Sequence, residues 1–94
     1  MVLTPYHLAL ARQIKQITQE TAEKHNISTE YLLGHNRRAG VAWARFEIMW
    51  RARHELGAPY QLIGHVLGGR HHTSILHGVR RYAEYISSTN HSPD

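Results

Sequence analysis

The chain has 94 residues, no cysteine, 41% hydrophobic residues and a formal net charge of +4. This length and hydrophobic content are those of one folded domain with a modest core, and the lack of cysteine excludes disulfides and thiolate metal sites. No apolar stretch approaches membrane-spanning length, and Pro5 and His7 interrupt the region where a signal peptide would be continuously apolar. We therefore expect a single cytoplasmic domain with no membrane partner.

Basic residues are concentrated in the second half of the chain. Between Arg37 and Arg81 there are eight arginines, and the acids in that stretch are Glu47 and Glu55. Residues 57–83 contain no acid. This distribution favours a polyanionic partner, and the alternative is a solvated surface that is basic by chance.

Two helices are predicted in the first third of the chain. Thr4 and Pro5 can cap and begin the first helix, which we expect to end near residue 25. Its core-facing residues recur at helical spacing and are Leu10, Ile14, Ile17 and Thr21. Ser28 can cap a short second helix, which Gly34 ends. The core contacts expected of this second helix are Leu32 and Leu33.

A third helix is predicted over residues 41–56, ended by Gly57. Its core-facing stripe is expected to comprise Val41, Ala44 or Arg45, Ile48, Ala52 and Leu56. Trp43, Phe46 and Trp50 form a second stripe, and rings of this size are costly to leave in water. One interpretation packs these rings under the N-terminal helix, around Tyr6 and Leu10. The other makes them a protein–protein surface.

The last third of the chain has the pattern of two helices joined by a tight turn. A short helix over residues 60–67 follows Pro59 and breaks at Gly68 and Gly69, because glycine accepts the left-handed conformation of a helix end. A longer helix with an apolar stripe extends to Ile86. Its polar opening residues are Arg70, His71, His72, Thr73 and Ser74. This is the layout of a helix-turn-helix, over about residues 59–86, followed by a polar tail at residues 87–94.

The segment GGRHHTSILHGVRR, residues 68–81, resembles the signature of the C-terminal DNA-binding domain of the bacterial replication initiator DnaA. In that family the segment is roughly GGRDHTTVLHA, and the similarity extends upstream without a gap over about residues 14–86. The resemblance implies an all-α, compact helical domain with a helix-turn-helix, of the DnaA C-terminal (TrpR-like) fold, spanning residues 1–94. It also implies sequence-specific binding of double-stranded DNA at sites like the DnaA box. A small bacterial regulator of transcription or replication would act in this way.

The resemblance also assigns DNA contacts to particular residues. Base contacts are expected from the recognition helix, which is the last predicted helix and begins near His71. A further base contact is expected from an arginine that enters the minor groove from the basic loop at residues 35–40. The residues expected to contact bases are Arg37, His71, His72, Thr73 and Ser74. The expected backbone contacts are Arg38, Arg45, Arg53, Arg70, His77 and Arg81. His71 departs from the family's aspartate, which accepts from cytosine N4 and caps the helix. Histidine is expected to do each less well.

Other functions find little support in the sequence. The nine histidines show no spacing typical of metal ligands, and neither a glycine-rich phosphate loop nor a nucleophile–base pair is present. We therefore expect no metal, cofactor, nucleotide or catalytic residue, and no enzyme activity. The alternative function is that of an interaction module, which would bind another protein or a second copy through Trp43, Phe46 and Trp50.

Overall fold

The computed structural model describes residues 3–89, which form five α-helices and no strand. The helices are α1 (Pro5–His25), α2 (Thr29–Leu33), α3 (Ala39–Leu56), α4 (Tyr60–Val66) and α5 (His72–Thr89). The predicted all-α fold is confirmed. Residues 87–89 extend α5 instead of opening a tail, since no glycine or proline lies between Gly78 and Pro93; the rest of the expected tail lies outside the described residues. Among the described helices, none has the length and apolar character needed to cross a bilayer.

The predicted ends of α1 are confirmed. The backbone nitrogen of His7 donates to Thr4 Oγ1 over 3.2 Å, and the backbone nitrogen of Thr4 donates to His7 Nδ1 over 3.4 Å. This reciprocal pair is a capping box in which histidine replaces the usual glutamate or glutamine. At the other end, Asn26 takes the left-handed conformation with φ 53°.

The short helix α2 begins after Ser28, whose side chain accepts from the backbone nitrogen of Glu30 over 3.1 Å. Leu32 is fully buried, whereas Leu33, expected in the core, is 39% exposed. Neighbouring residues of a helix point about 100° apart, so a helix this short buries only one of the two. Only the Leu32 half of that prediction is correct.

Helix α3 lies at the centre of the fold, because it contacts each of the other four helices. It begins at Ala39, two residues earlier than predicted, and so takes in the end of the expected basic loop. Its predicted stripe is buried at Val41, Ala44, Arg45, Ile48 and Ala52 and half-buried at Leu56. The fully buried side chains of the core come from all five helices and include Ile14, Leu32, Ile48, Leu62, Ile63 and Ile75.

A buried ion pair joins the end of α1 to α3. Glu47 is 3% exposed; its Oε2 lies 3.0 Å from Lys24 Nζ and its Oε1 lies 2.8 Å from His25 Nε2. Burial tends to raise the pKa of Glu47, but the hydrogen bonds from His25 and Lys24, with their charges, outweigh it and lower that pKa below its ordinary value. The hydrogen bond between Lys24 and Glu47 raises the pKa of Lys24. The carboxylate is therefore held in its charged form inside the fold.

The aromatic stripe of α3 packs against α5. The Trp43 ring lies 5.4 Å from Tyr82 and 5.0 Å from Tyr85, and the Trp50 ring lies 5.8 Å from Tyr82. Tyr6, the partner expected on α1, is 64% exposed. Packing within the chain, one of the two interpretations of this stripe, is observed, but the expected contact with Tyr6 is wrong. The reason is that α5 runs along α3 and brings its own tyrosines to this stripe.

Candidate nucleic-acid interface

The turn between α4 and α5 is built by glycines. Gly68 and Gly69 have φ values of 80° and 77°, which side chains with a Cβ rarely adopt. After this turn, the backbone nitrogen of Arg70 donates to the carbonyl oxygen of Gly64 over 2.8 Å. A Cβ on Gly64 would overlap the carbonyl oxygen of Arg70, so the chain passes directly over α4 here. The predicted glycine break is thus present, and it brings the residue before the polar row against α4.

The first turn of α5 presents a row of polar side chains to solvent. All four candidates for base contact in and just before this turn are exposed: His71, His72, Thr73 and Ser74. His71 immediately precedes α5, and its Nδ1 accepts from the backbone nitrogen of Thr73 over 3.2 Å. The same atom lies 2.8 Å from Thr73 Oγ1. His71 therefore caps α5. The sequence predicted that histidine would cap this helix less well than aspartate does.

The polar surface continues along α5. His77 and Arg81 follow Thr73 at intervals of four residues, which places the three on one face of the helix, and all are exposed. The rings of His77 and Phe46 of α3 are nearly perpendicular, with their centres 6.0 Å apart. A pocket of about 340 Å³ opens between α3 and α5, and its lining brings together five of the predicted residues: Arg45, Arg70, Thr73, Ser74 and His77.

The basic loop is reduced to residues 35–38, between α2 and α3. Arg37 and Arg38 are both exposed. The backbone nitrogen of Arg38 donates to Asn36 Oδ1 over 2.9 Å, which closes a local turn within the loop. Asn36 had no predicted role, although asparagine in a short connection is a common signal for such a turn.

Arg45 and Arg70 are engaged within the chain. Arg45 is 7% exposed, and its guanidinium donates to carbonyl oxygens at the end of α2. Arg70 is half-buried and donates to the carbonyl oxygens of Leu67 and Gly34. Burial lowers the pKa of both arginines, and the charge of Arg70 lowers that of Arg45 further. The phosphate contacts expected of these two residues stay predictions.

Arg53 lies beside the residues that lead into α4. It is near the end of α3, roughly 21 Å along the helix from Ala39 at the helical rise of 1.5 Å per residue. Its Nη1 donates to the carbonyl oxygen of Ala58 over 3.1 Å, and its guanidinium lies 4.6 Å from the centre of the Tyr60 ring. The structure therefore places Arg53 beside the start of α4.

Several acids are paired within the chain. Besides the buried Glu47, Glu20 and Glu55 both pair with Arg51, at 3.2 Å and 3.1 Å. Since residues 57–83 contain no acid, the turn and the first half of α5 carry a positive charge.

Comparison with known proteins gives a consistent family. The sequence model of the family described as "Bacterial dnaA protein helix-turn-helix" matches residues 14–81. The chromosomal replication initiator protein DnaA of Chloroflexus aggregans is 35% identical over 75 residues, covering 80% of this chain and 16% of that protein. Its counterpart in Thermomicrobium roseum is 36% identical over 84 residues, covering 83% of this chain and 18% of that protein. The one in Cereibacter sphaeroides (strain ATCC 17029) is 32% identical over 81 residues, covering 86% and 18%.

The chain thus spans less than a fifth of the length of these relatives. No solved structure matches it significantly. The matched residues run from the middle of α1 to the polar face of α5 and include the glycine turn and the basic loop. The chain belongs to the family of bacterial DnaA helix-turn-helix domains, which are DNA-binding domains.

Proposed function

We propose that this chain binds double-stranded DNA with sequence preference, at sites like the DnaA box. The first turn of α5 enters the major groove, and Arg37 reaches the adjacent minor groove, where arginine is favoured by the narrow, electronegative space. One observation carries this proposal: Arg70, which immediately precedes the exposed polar row at residues 71–74, donates to the carbonyl oxygen of Gly34, which immediately precedes the loop with two exposed arginines.

The base contacts follow from the chemistry of the exposed row. The hydroxyls of Thr73 and Ser74 can donate or accept at base edges, and the threonine methyl can contact the thymine methyl. Since Nδ1 of His71 accepts from the backbone, the neutral ring carries its proton on Nε2. That donor suits the O6 and N7 acceptors of guanine, whereas an aspartate suits cytosine N4.

The phosphate contacts fall to exposed basic side chains. His77 and Arg81 are exposed on the polar face of α5, Arg38 is exposed in the basic loop, and the half-buried Arg53 lies near the end of α3. Arg45 and Arg70 line the pocket between α3 and α5 and contribute positive charge there. Phosphate contacts of this kind position a protein on the duplex without selecting sequence.

The biological role that fits such an activity is that of a small regulator of transcription or replication. Such a regulator would occupy sites that the full-length initiator also recognises. The two would then compete for the same box.

Salt dependence tests the proposal. Each phosphate neutralised adds about −0.9 to the slope of log K against log salt, so about three such contacts predict a slope near −3. Fluorescence anisotropy of a labelled duplex between 50 and 300 mM salt, roughly, measures it. Arg81→Ala should reduce the slope by about 1. A slope near zero for a folded protein would contradict DNA binding through these residues.

A second candidate function uses the aromatic surface between α3 and α5. Trp43 and Phe46 are half-buried, and Tyr85 is 46% exposed. A partner protein or a second copy could pack on these rings, since aromatic side chains are enriched at interfaces. This candidate predicts association that is nearly independent of salt. Sedimentation at several protein concentrations, with and without duplex, distinguishes the two functions.

A further inference from the structure

The end of α2 is capped by two arginines from elsewhere in the chain. The last carbonyl groups of a helix have no helical partner, and here they belong to residues 31–34. Arg45 donates to the carbonyl oxygens of Tyr31, Leu32 and Gly34 over 2.8, 2.9 and 3.0 Å. Arg70 donates to that of Leu33 over 3.5 Å and to that of Gly34. All four carbonyls therefore have a guanidinium partner.

Arg70 also ties this end of α2 to the turn before α5. Its Nη1 donates to the carbonyl oxygen of Leu67 over 2.6 Å, and its own backbone nitrogen is bonded to Gly64. The two segments touch directly as well, because a Cβ on Gly68 would overlap the carbonyl oxygen of Leu33. The Arg70 side chain thus joins Gly34, the last residue before the basic loop, to the turn that precedes α5.

We propose that Arg70, supported by Arg45, is a positioning residue that fixes the basic loop relative to the first turn of α5. This inference rests on the proposed function. We call the hydrogen bonds from Arg45 and Arg70 to Gly34 the clamp. If the loop enters a minor groove while α5 occupies the major groove, the clamp sets the number of base pairs between the two contacts. Arg37 is only three residues from Gly34, and each residue spans at most about 3.5 Å, so its reach depends on where Gly34 is held.

The chemistry of the clamp requires arginine. A planar guanidinium offers several donors in a fixed geometry and can bond to carbonyls on two segments at once, whereas lysine is a point charge on a flexible stem. A cation is also favoured at the carboxyl end of a helix, which helps to offset the burial of two positive charges close together. Arg70→Lys should therefore keep the charge and lose the clamp.

The first test needs no DNA. The amide of Arg38, bonded to Asn36, reports on order in the loop. In Arg70→Ala and in Arg70→Lys, hydrogen exchange at this amide should accelerate roughly tenfold, the scale set by the loss of one or two hydrogen bonds. Exchange of core amides in α1 and α3 should not change. Arg80→Ala, which removes an exposed arginine of α5, is the matched control for charge.

Arg70→Gln is included in case Arg70→Ala fails to fold, because its side-chain amide can still donate to one carbonyl. Exchange at Arg38 that equals wild type in all folded Arg70 variants would overturn the proposal.

The second test is a double-mutant cycle in DNA affinity, with Arg37→Ala and Arg70→Ala. If Arg70 places Arg37, Arg37→Ala should cost roughly tenfold in the wild-type background and at most about twofold in the Arg70→Ala background. If the two substitutions lower DNA affinity additively, and Arg70→Lys binds DNA as tightly as wild type, Arg70 contacts phosphate directly. That result would overturn the positioning role. If the wild type binds no duplex, the proposed function and the role in base-pair spacing both fail. The exchange experiment still decides whether Arg70 orders the loop.

Discussion

His71 Nδ1 lies 3.2 Å from the backbone nitrogen of Thr73 and accepts its hydrogen. At the position where the resemblance implies an aspartate, this chain has a histidine that still caps α5. Because the acceptor is a ring nitrogen, the cap requires the neutral form with the proton on Nε2. We expect His71→Ala to lower the free energy of unfolding by about 1 kcal/mol, the usual cost of a lost cap. Urea denaturation measures this, and an unchanged midpoint would mean that the cap adds no stability.

His71 should also set the base preference at one position of the DNA site. Its Nε2 donor favours guanine, whereas the carboxylate of His71→Asp accepts from cytosine N4 and keeps the helix cap. The variant should regain a preference for cytosine at that position, with a discrimination of roughly 1–3 kcal/mol. Comparing the sites selected by the two proteins measures it. Identical preferences at every position would show that His71 contacts no base.

The buried carboxylate of Glu47 makes stability depend on acidity. Because its pKa in the fold is lowered below the ordinary value of 4.5, the charged carboxylate stabilises the fold fully above about pH 4.5. That contribution is lost as the pH falls through the lowered pKa. Glu47→Gln should therefore be less stable than wild type at pH 7, and the difference should shrink below pH 4.5. Urea denaturation at pH 7, 5, 4 and 3 tests this, with the exposed Glu84→Gln as control. A difference that is constant with pH would contradict the assignment.

Trp50 should contribute to stability through its packing against α5. Its ring contacts Tyr82 and it packs on the core, so Trp50→Ala should lower the free energy of unfolding by roughly 3 kcal/mol. Tyr6→Ala removes an exposed ring on α1 and should change it by less than about 0.5 kcal/mol. Thermal melts and sedimentation of both variants give the answer. A Trp50→Ala protein with unchanged melting and reduced self-association would favour the interaction module instead.

Gly64 of α4 should tolerate no added side chain, because the residue that follows the glycine turn passes directly over it. A Cβ there would overlap the backbone of Arg70, so Gly64→Ala should destabilise the fold by about 1–3 kcal/mol, as overpacking does. Gly40 provides the matched control because it lies in α3 with open space around it. Gly40→Ala should be neutral or stabilising by up to about 1 kcal/mol. Equal effects of the two substitutions on the melting temperature would contradict the close approach.

The sequence predicts local features of this fold well. Thr4, Ser28, Gly57 and the pair Gly68 and Gly69 mark helix ends through hydrogen bonds or backbone conformations that depend on a few neighbouring residues. These signals gave the order and the approximate bounds of all five helices.

Features that depend on contacts between distant residues were less predictable. An arginine that caps a distant helix looks, in sequence, like an arginine that contacts phosphate. Arg45 did carry a signal, because it lies on the core-facing stripe between Val41 and Ile48. Arg70 carried none. Gly78 was also missed: a Cβ there would overlap the side chains of Met49 and Phe46, so a larger residue would have to displace them where α5 packs on α3.

Selection from a pool of random duplexes, at a defined salt concentration, tests the central claim most directly. If the first turn of α5 and the basic loop contact neighbouring grooves, the wild type should enrich one motif. We expect that motif to resemble a DnaA box altered or relaxed at the base pair that His71 contacts. Folded wild-type protein that enriches no motif, while binding all duplexes equally or none, would contradict the account.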